Sequence, residues 1–179
     1  MRALVLQCGG PTAVVNTSLA ALIRRWRTVA PPGVLYGGHQ ALNALITAEW
    51  RALSDVEDDW LSAIEASPGM VLGGGRTRLT ETELDGAVSR LASQGVDVLF
   101  MLGGNGTMAV GRVLSAHATR SRVPLRVIGV PKTVDNDIPY TDACPGFASA
   151  ARFLSPQKGQ GGATTDIGRK AACVRLSPA

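Results

Sequence analysis

The sequence is poor in the residues on which several common kinds of site depend. It has only two histidines, His39 and His117, which argues against a histidine-rich zinc site and against a Ser-His-Asp triad. The three cysteines, Cys8, Cys144 and Cys173, lie far apart and include no Cys-x-x-Cys pair, so we expect reduced thiols and a cytoplasmic location. No apolar run reaches the roughly 18 residues of a membrane span, and the amino-terminal run is too short for a signal peptide. Association with a membrane is therefore not expected.

Composition limits the class of protein further. Only 4% of the 179 residues are aromatic, while 45% are hydrophobic and 21 are glycine. This balance is typical of an α/β protein rich in Ala, Val, Leu and Gly, and not of a disordered or fibrous chain. The net charge is +4, and 15 of the 18 basic residues are scattered arginines. Nucleic acid is not indicated as a partner, whereas a small anionic substrate is compatible with this charge.

Candidate strands and helices alternate along the chain. Such alternation predicts a Rossmann-like open parallel sheet with helices on both faces and right-handed crossovers. Thr80 and Glu83 form a capping-box pattern that predicts the start of a helix. The predicted strands cover residues 3–6, 33–36, 70–72, 96–102 and 126–130, and the predicted helices cover about 15–29, 39–46, 58–66, 80–93, 107–117 and 147–154.

Four loops each follow a predicted strand and are rich in glycine, cations or carboxylates: residues 8–12, 73–76, 103–107 and 131–137. In a parallel sheet they open on one edge, where backbone N–H groups and helix amino termini bind oxyanions. A single loop of this kind is more often a structural turn, but the set favours a polyphosphate site. The apolar run 127–130 predicts a strand that is buried on both faces and ends at a reaction centre.

Two other kinds of nucleotide site fit less well. No Gly-x-x-x-x-Gly-Lys-Ser/Thr motif occurs, which excludes a P-loop. Residues 104–109 match a loose Gly-x-Gly-x-x-Gly/Ala fingerprint, but a dinucleotide site also needs an acidic residue about 20 positions later. Because no Asp or Glu lies between Asp97 and Asp135, NAD binding is a minor alternative.

Five segments together resemble the phosphofructokinase family in order and spacing, most closely its pyrophosphate-dependent branch. Diacylglycerol and NAD kinases are similar only in the loop around residues 103–107. The resemblance implies transfer of a phosphoryl group from pyrophosphate or ATP to the 1-hydroxyl of fructose 6-phosphate, with Mg²⁺, and a homo-oligomer for a full-length relative. The segments are residues 7–16, 72–76, 103–107, 131–137 and 141–147.

The resemblance also implies roles for individual residues. Asp135 resembles the base that takes the proton from the sugar hydroxyl, and Lys132 is suited to offset charge on the transferred phosphoryl group. Thr133, Val134 and Asp135 resemble sugar contacts, and Asn105 and Asp137 resemble residues that organise the metal. The donor site is implied at Gly10, Arg76, Gly103, Gly104, Asn105, Gly106 and Thr107.

Three positions leave alternatives open: Asn105 for the presence of catalytic activity, and Lys132 and Gly106 for the identity of the donor. Most relatives have Asp where this chain has Asn105, and the neutral amide lacks the charge that a hard cation prefers. A non-catalytic protein that binds a phosphosugar or nucleotide is therefore an alternative function. Lys132 is a feature of pyrophosphate users, whereas Gly106 stands where many of those enzymes carry an acidic residue that obstructs ATP. We favour pyrophosphate as the donor.

The end of the chain does not follow the resemblance. Residues 1–154 are expected to form one phosphofructokinase-like domain, and residues 155–179 read as a loop or disordered tail in which Ser155-Pro156 stops a helix. Phosphofructokinases are about twice this length, and their Met-Gly-Arg motif has only Gly168-Arg169 as a candidate counterpart here. We expect the 179-residue chain to be part of an enzyme and to show negligible activity alone.

Overall fold

Five strands form one mixed sheet within residues 1–155, the part of the chain that the computed structural model describes. The strand order is β3-β2-β1-β4-β5. β1 is parallel to both β2 and β4, β5 is parallel to β4, and β3 is antiparallel to β2. The strands are β1 (Arg2–Gln7), β2 (Val34–Gly38), β3 (Trp50–Ala52), β4 (Val98–Gly103) and β5 (Arg126–Pro131).

Helices cover both faces of this sheet, as the sequence predicts. Alternate side chains of β1 enter two separate cores: Ala3 and Val5 pack with α1 and α3, whereas Leu4 and Leu6 pack with α2, α4 and α5. The side chains at these four positions have no exposed surface. A 3₁₀ turn (Ala41–Asn43) and six α-helices are present: α1 (Val15–Val29), α2 (Ala44–Thr47), α3 (Asp58–Glu65), α4 (Glu81–Ser93), α5 (Asn105–Arg120) and α6 (Phe147–Leu154).

Several local predictions are confirmed. α1 and α6 begin and end at the predicted residues. The capping box before α4 is formed: Glu83 N–H donates to Thr80 Oγ1 at 3.3 Å, and Thr80 N–H donates to the Glu83 carboxylate at 2.8 Å. Thr80 donates to the Glu83 carboxylate from both its backbone N–H and its Oγ1 hydroxyl, and these two hydrogen bonds lower the pKa of Glu83. The cap satisfies donors that the first helical turn leaves unpaired.

The strand predicted at residues 70–72 is wrong. This segment is a turn whose backbone donors are satisfied by side chains instead of a neighbouring strand. Leu72 N–H donates to Gln7 Oε1 at 3.0 Å, and Val71 N–H donates to Asn16 Oδ1 at 3.0 Å. Because those bonds come from residues distant in sequence, the local apolar run could not show them.

The predicted open parallel sheet with helices on both faces is confirmed; within the described residues one edge strand departs from it, because β3 pairs antiparallel with β2. The chain returns after Ala48, whose φ of 58° reverses its direction. Trp50 then packs against Tyr36 across the strand pair with ring centroids 6.1 Å apart, and its indole N–H donates to the Ala44 carbonyl at 2.8 Å.

The helix predicted over 39–46 differs from the structure, which has a 3₁₀ turn followed by the short α2.

The apolar run in β5 is not buried on both faces, contrary to prediction. Among the described residues β5 is an edge strand, since it pairs only with β4. Val127 packs into one core and Val130 into the other, but Ile128 is 42% exposed. Apolar composition reports what a strand is able to bury and does not fix its place in the sheet.

Two further expectations concern regions that bear less on the site. The predicted tail beyond Ser155, with Gly168-Arg169, lies outside the described residues. None of the helices between residues 1 and 155 is long and apolar enough to cross a lipid bilayer.

Candidate functional site

A cavity of about 440 Å³ lies where β1, β4 and β5 reach their carboxyl ends. This is the edge at which open α/β sheets bind ligands. Its wall is formed by the loop after β1, the segment 75–78, the first turn of α5 and the segment that follows β5. Four loops that are far apart in sequence therefore meet around one space.

Most of the residues that the sequence singles out line this cavity. Gly103, Asn105 and Asp137 do not line it. Gly103 is buried at the end of β4, and Asn105 and Asp137 are exposed. The predicted residues that line it are Gly10, Arg76, Gly104, Gly106, Thr107, Lys132, Thr133, Val134 and Asp135.

The loop between β4 and α5 is arranged as an anion-binding helix terminus. Gly104 is the N-cap of α5 and has no side-chain cap hydrogen bond. The first backbone N–H groups of a helix have no partner within the helix, and the helix dipole adds positive potential there. Gly103 has to be glycine, because a Cβ at that position would lie 2.6 Å from the Cβ of Thr107. The close turn therefore presents free N–H groups to the cavity.

Lys132 joins the loops after β1 and β4. Its side chain is 4% exposed, its Nζ donates to the Gly10 carbonyl at 2.6 Å, and its backbone N–H donates to the Gly103 carbonyl at 2.9 Å. Burial lowers the pKa of Lys132. The nearby Cys8 and Cys144 oppose that shift, whereas the positive charge of Arg76 adds to it. Among residues 1–155 this buried ammonium has no carboxylate partner, so an anion in the adjoining cavity would stabilise it.

Two thiols lie beside this ammonium and stay protonated at neutral pH. Burial raises the pKa of Cys8 to about 12, although the nearby Lys132 charge partly offsets it. Burial also raises the pKa of Cys144. Within residues 1–155 both cysteines are free and buried, and Cys173 lies outside the described residues. Neither thiol has the lowered pKa of a reactive cysteine.

The cations around the cavity outnumber its carboxylates. Arg76, Arg78 and Lys132 line it, whereas Asp135 is the only carboxylate that lines it in the part of the chain that the structure describes. Arg76 lies over the loop after β1, since a Cβ on Gly10 would be 3.8 Å from Arg76 Nη2. Within residues 1–155 neither Arg76 nor Arg78 forms an ion pair. This electrostatic surplus matches an anionic ligand such as a polyphosphate.

The turn after β5 leaves the carboxylate of Asp135 available. Asp135 N–H donates to Thr133 Oγ1 at 3.1 Å, and Thr133 N–H donates to the Pro145 carbonyl at 3.1 Å. Asp135 is exposed, and its carboxylate accepts no hydrogen bond from any residue in the described part of the chain. A fixed backbone with a free carboxylate at a cavity is the arrangement that a general base requires.

Asn136 braces this turn, a function that the sequence analysis missed. Its φ is 52°, in the left-handed region that Asn tolerates better than most residues. Its Nδ2 donates to the Asp142 carbonyl at 3.1 Å, and its Oδ1 accepts from Cys144 N–H at 2.8 Å. The Asn between two aspartates was the available signal, because Asn in such a run often supports a left-handed turn.

Gln7 and Asn16 support the segment 67–72, which precedes the Gly-rich loop at 73–76, and they were also missed. Gln7 Nε2 donates to Asn16 Oδ1 at 3.0 Å, and Asn16 Nδ2 donates to the Ser67 carbonyl at 3.0 Å. Gln7 has no exposed surface and Asn16 is 2% exposed. A fully hydrogen-bonded buried pair fixes the segment that it holds. A glutamine at the end of an apolar strand was the signal for this pair.

The oxygen donors near the cavity fit Mg²⁺ held mainly by phosphate. Asn105 Nδ2 donates to the Asp137 carbonyl at 3.0 Å, which leaves Asn105 Oδ1 free to accept a cation. Residues 1–155 contain no cluster of three or more His, Cys, Asp or Glu side chains that could hold a metal ion by itself. Mg²⁺ commonly binds through one or two protein oxygens together with substrate phosphates and water.

Relatives of known function share this part of the chain. A sulfofructose kinase from Alkalicoccus urumqiensis is 36% identical over 155 residues, which are 87% of this chain and 40% of that protein. A pyrophosphate–fructose 6-phosphate 1-phosphotransferase from Rhodospirillum rubrum is 29% identical over 86% of this chain and 38% of its own length. The chain thus spans about 40% of the length of these curated relatives.

The fold gives the same result. The crystal structure of a pyrophosphate-dependent phosphofructokinase from Nitrosospira multiformis matches with a TM-score of 0.82 and 29% identity, over 87% of this chain and 40% of that one. The family described as Phosphofructokinase matches residues 2–156, a range that includes every strand and helix of the sheet and all the loops around the cavity. The chain belongs to the phosphofructokinase family.

Proposed function

We propose that this chain supplies the donor site and the catalytic base of a phosphotransferase. In this reaction a phosphoryl group passes from pyrophosphate or ATP to the 1-hydroxyl of fructose 6-phosphate, with Mg²⁺, as a step of glycolysis. The observation that carries the proposal is the cavity in which three cations and one free carboxylate meet the amino terminus of α5.

Each part of the cavity has a task in such a transfer. Asp135 accepts the proton of the attacking hydroxyl, while Thr133 and Val134 orient the sugar. Lys132 and Arg76 offset charge on the equatorial oxygens, as phosphoryl transfer requires. The donor phosphates bind to Gly10, Gly103, Gly104, Asn105, Gly106 and Thr107. Asn105 and Asp137 would hold Mg²⁺, and the bound ion would offset the negative charge that develops on the phosphate.

The favoured donor is pyrophosphate. Lys132 supports this choice, because its ammonium adds a phosphate contact for a donor that has no nucleoside to bind. Gly106 supports ATP, since a Cβ at that position would meet nothing within 4 Å and the space beside it is open. Titration of the chain with each donor in the presence of Mg²⁺ tests the choice, and a clearly lower Kd for ATP would overturn it.

The acceptor needs a separate test, because the relatives act on different sugars. One of them is named for sulfofructose and another for fructose 6-phosphate. Calorimetric titration with each sugar at saturating pyrophosphate and Mg²⁺ distinguishes the two. Binding of fructose 6-phosphate supports the proposal, whereas binding of sulfofructose alone would move the acceptor to a sulfonate.

A second candidate function is binding without catalysis. Asn105 favours it, because the amide brings less charge to Mg²⁺ than the Asp found in most relatives. Titration and a coupled turnover assay on the same sample separate the two functions. Because we also expect very slow turnover from the 179-residue chain as part of an enzyme, the comparison of variants decides: a gain of turnover with Asn105→Asp would favour the enzyme, and no gain would favour the binding protein.

The proposal extends to the location, the partners and the domain organisation of the enzyme. The free thiols of Cys8 and Cys144 support a location in the reducing cytoplasm. The partners are small phosphorylated molecules, and neither nucleic acid nor a membrane is included. For a full-length relative we propose a homo-oligomer. Residues 1–154 act as the domain that binds the donor, and residues 155–179 lie outside it.

A further inference from the structure

Arg78 lines the cavity, although none of the motifs gives it a function. Its side chain is exposed, and it has no ion pair within residues 1–155. Three other arginines within residues 1–155 are instead paired with carboxylates. Those pairs are Arg24 with Glu65, Arg27 with Asp58, and Arg120 with Asp85.

The other two cations that line the cavity, Lys132 and Arg76, both lie beside Gly10. Lys132 Nζ bonds to the Gly10 carbonyl at 2.6 Å, and Arg76 Nη2 would lie 3.8 Å from a Cβ on Gly10. Both positive charges therefore act beside the loop after β1. Arg78 follows Arg76 by two residues on the segment 75–78, which has no regular secondary structure and lines the cavity throughout. It brings a third charge to a cavity whose wall has only one carboxylate.

Pyrophosphate has two phosphate groups to hold, one transferred and one released. We propose that Arg78 binds the phosphate that is not transferred and thereby favours pyrophosphate over ATP. The planar guanidinium is suited to two parallel hydrogen bonds with phosphate oxygens. Pyrophosphate depends on its phosphate contacts alone, whereas ATP also gains from contacts to its nucleoside. Loss of Arg78 consequently weakens pyrophosphate binding more than ATP binding.

The inference rests on the proposed function and is tested by binding, which does not require turnover. The 179-residue chain and its variants are titrated with pyrophosphate and with ATP in the presence of Mg²⁺. Arg78→Ala raises the Kd for pyrophosphate by about 10- to 100-fold, the value of charge-assisted hydrogen bonds, and raises the Kd for ATP by less. Arg78→Lys restores part of the loss, because it keeps the charge without the fork.

Arg25→Ala is the matched control. Arg25 is an exposed arginine on α1 that does not line the cavity, so both Kd values stay unchanged. The thermal unfolding midpoint of each variant shows that the fold is kept.

Each contrary outcome overturns a defined part of the argument. Unchanged pyrophosphate binding by Arg78→Ala, with binding lost in Lys132→Ala, overturns the inference and leaves the proposed function intact. Equal weakening for both donors overturns the effect on donor selectivity. If the unsubstituted chain binds neither donor, the donor site of the proposed function fails, and the inference about Arg78 fails with it.

Discussion

At Asp135 the backbone and the side chain have separate tasks. The N–H holds the turn through Thr133 Oγ1, so removal of the carboxylate charge does not disturb the loop. In a form of the protein that turns over, Asp135→Asn should lower kcat by about 10²- to 10⁴-fold, the usual contribution of a general base. Asp142→Asn is the control, because Asp142 is exposed on the same loop but does not line the cavity. A kcat for Asp135→Asn close to that of the control would falsify the assignment.

Lys132 predicts a dependence of donor binding on pH. Burial sets its pKa below the ordinary 10.5, so the ammonium is lost at a lower pH than in a free lysine. Since only the charged form pairs with phosphate, the affinity for pyrophosphate should fall as pH rises through that lowered pKa.

Lys132→Arg provides the comparison, because its guanidinium stays charged throughout the range. The Kd for pyrophosphate is measured from about pH 7 to pH 10 for both proteins, and ionisation of the ligand itself is common to the two. Parallel curves would contradict the function given to the lysine.

The sequence predicts the functional residues unevenly, and the reason lies in how each is recognised. Lys132 and Asp135 lie in one short segment, where a lysine close to aspartates indicates a reactive site from the sequence alone, and both line the cavity. Gln7 and Asn16 act through hydrogen bonds to the backbone more than 50 residues away, as in the Val71 N–H bond to Asn16 and the Leu72 N–H bond to Gln7. No local pattern reports a partner at that distance.

Among the elements, those with local determinants were predictable. α1 has an apolar face with helical spacing, and α4 has a capping box, so both begin where the sequence places them. β3 and the turn at 70–72 depend on contacts made after the chain has folded, and both were missed. The outer position of β5 likewise depends on which strands pair, which its own residues do not encode.

The junction between β4 and α5 depends on Gly103 and not on Gly106. Gly103→Ala should lower the free energy of unfolding by about 1–3 kcal/mol, because its Cβ would overlap Thr107 and push α5 from the end of β4. Gly106→Ala should leave stability unchanged or raise it by up to about 1 kcal/mol, since a Cβ there meets open space within a helix. Urea denaturation of the two variants measures both, and equal stability would contradict the close packing of this junction.

At the scale of the whole molecule, the described residues supply more of the proposed donor site than of the proposed site for the sugar acceptor. The three cations and the helix terminus line the cavity in which we propose that the donor phosphates bind. The acceptor turn that follows Lys132, residues 133–137, contains two carboxylates and no cation. A sugar phosphate bound there has no charged partner on that turn for its own phosphate, and such partners contribute about 1.5–3 kcal/mol each.

This imbalance predicts that the 179-residue chain binds its donor but turns over very slowly. With fructose 6-phosphate, pyrophosphate and Mg²⁺ we expect turnover below about 0.01 s⁻¹, against the roughly 1–100 s⁻¹ of kinases. The Rhodospirillum rubrum phosphotransferase, of which this chain spans 38%, is the positive control in the same coupled assay. Turnover within the range of kinases, abolished by Asp135→Asn, would contradict the prediction and show that the acceptor phosphate finds its partners within this chain.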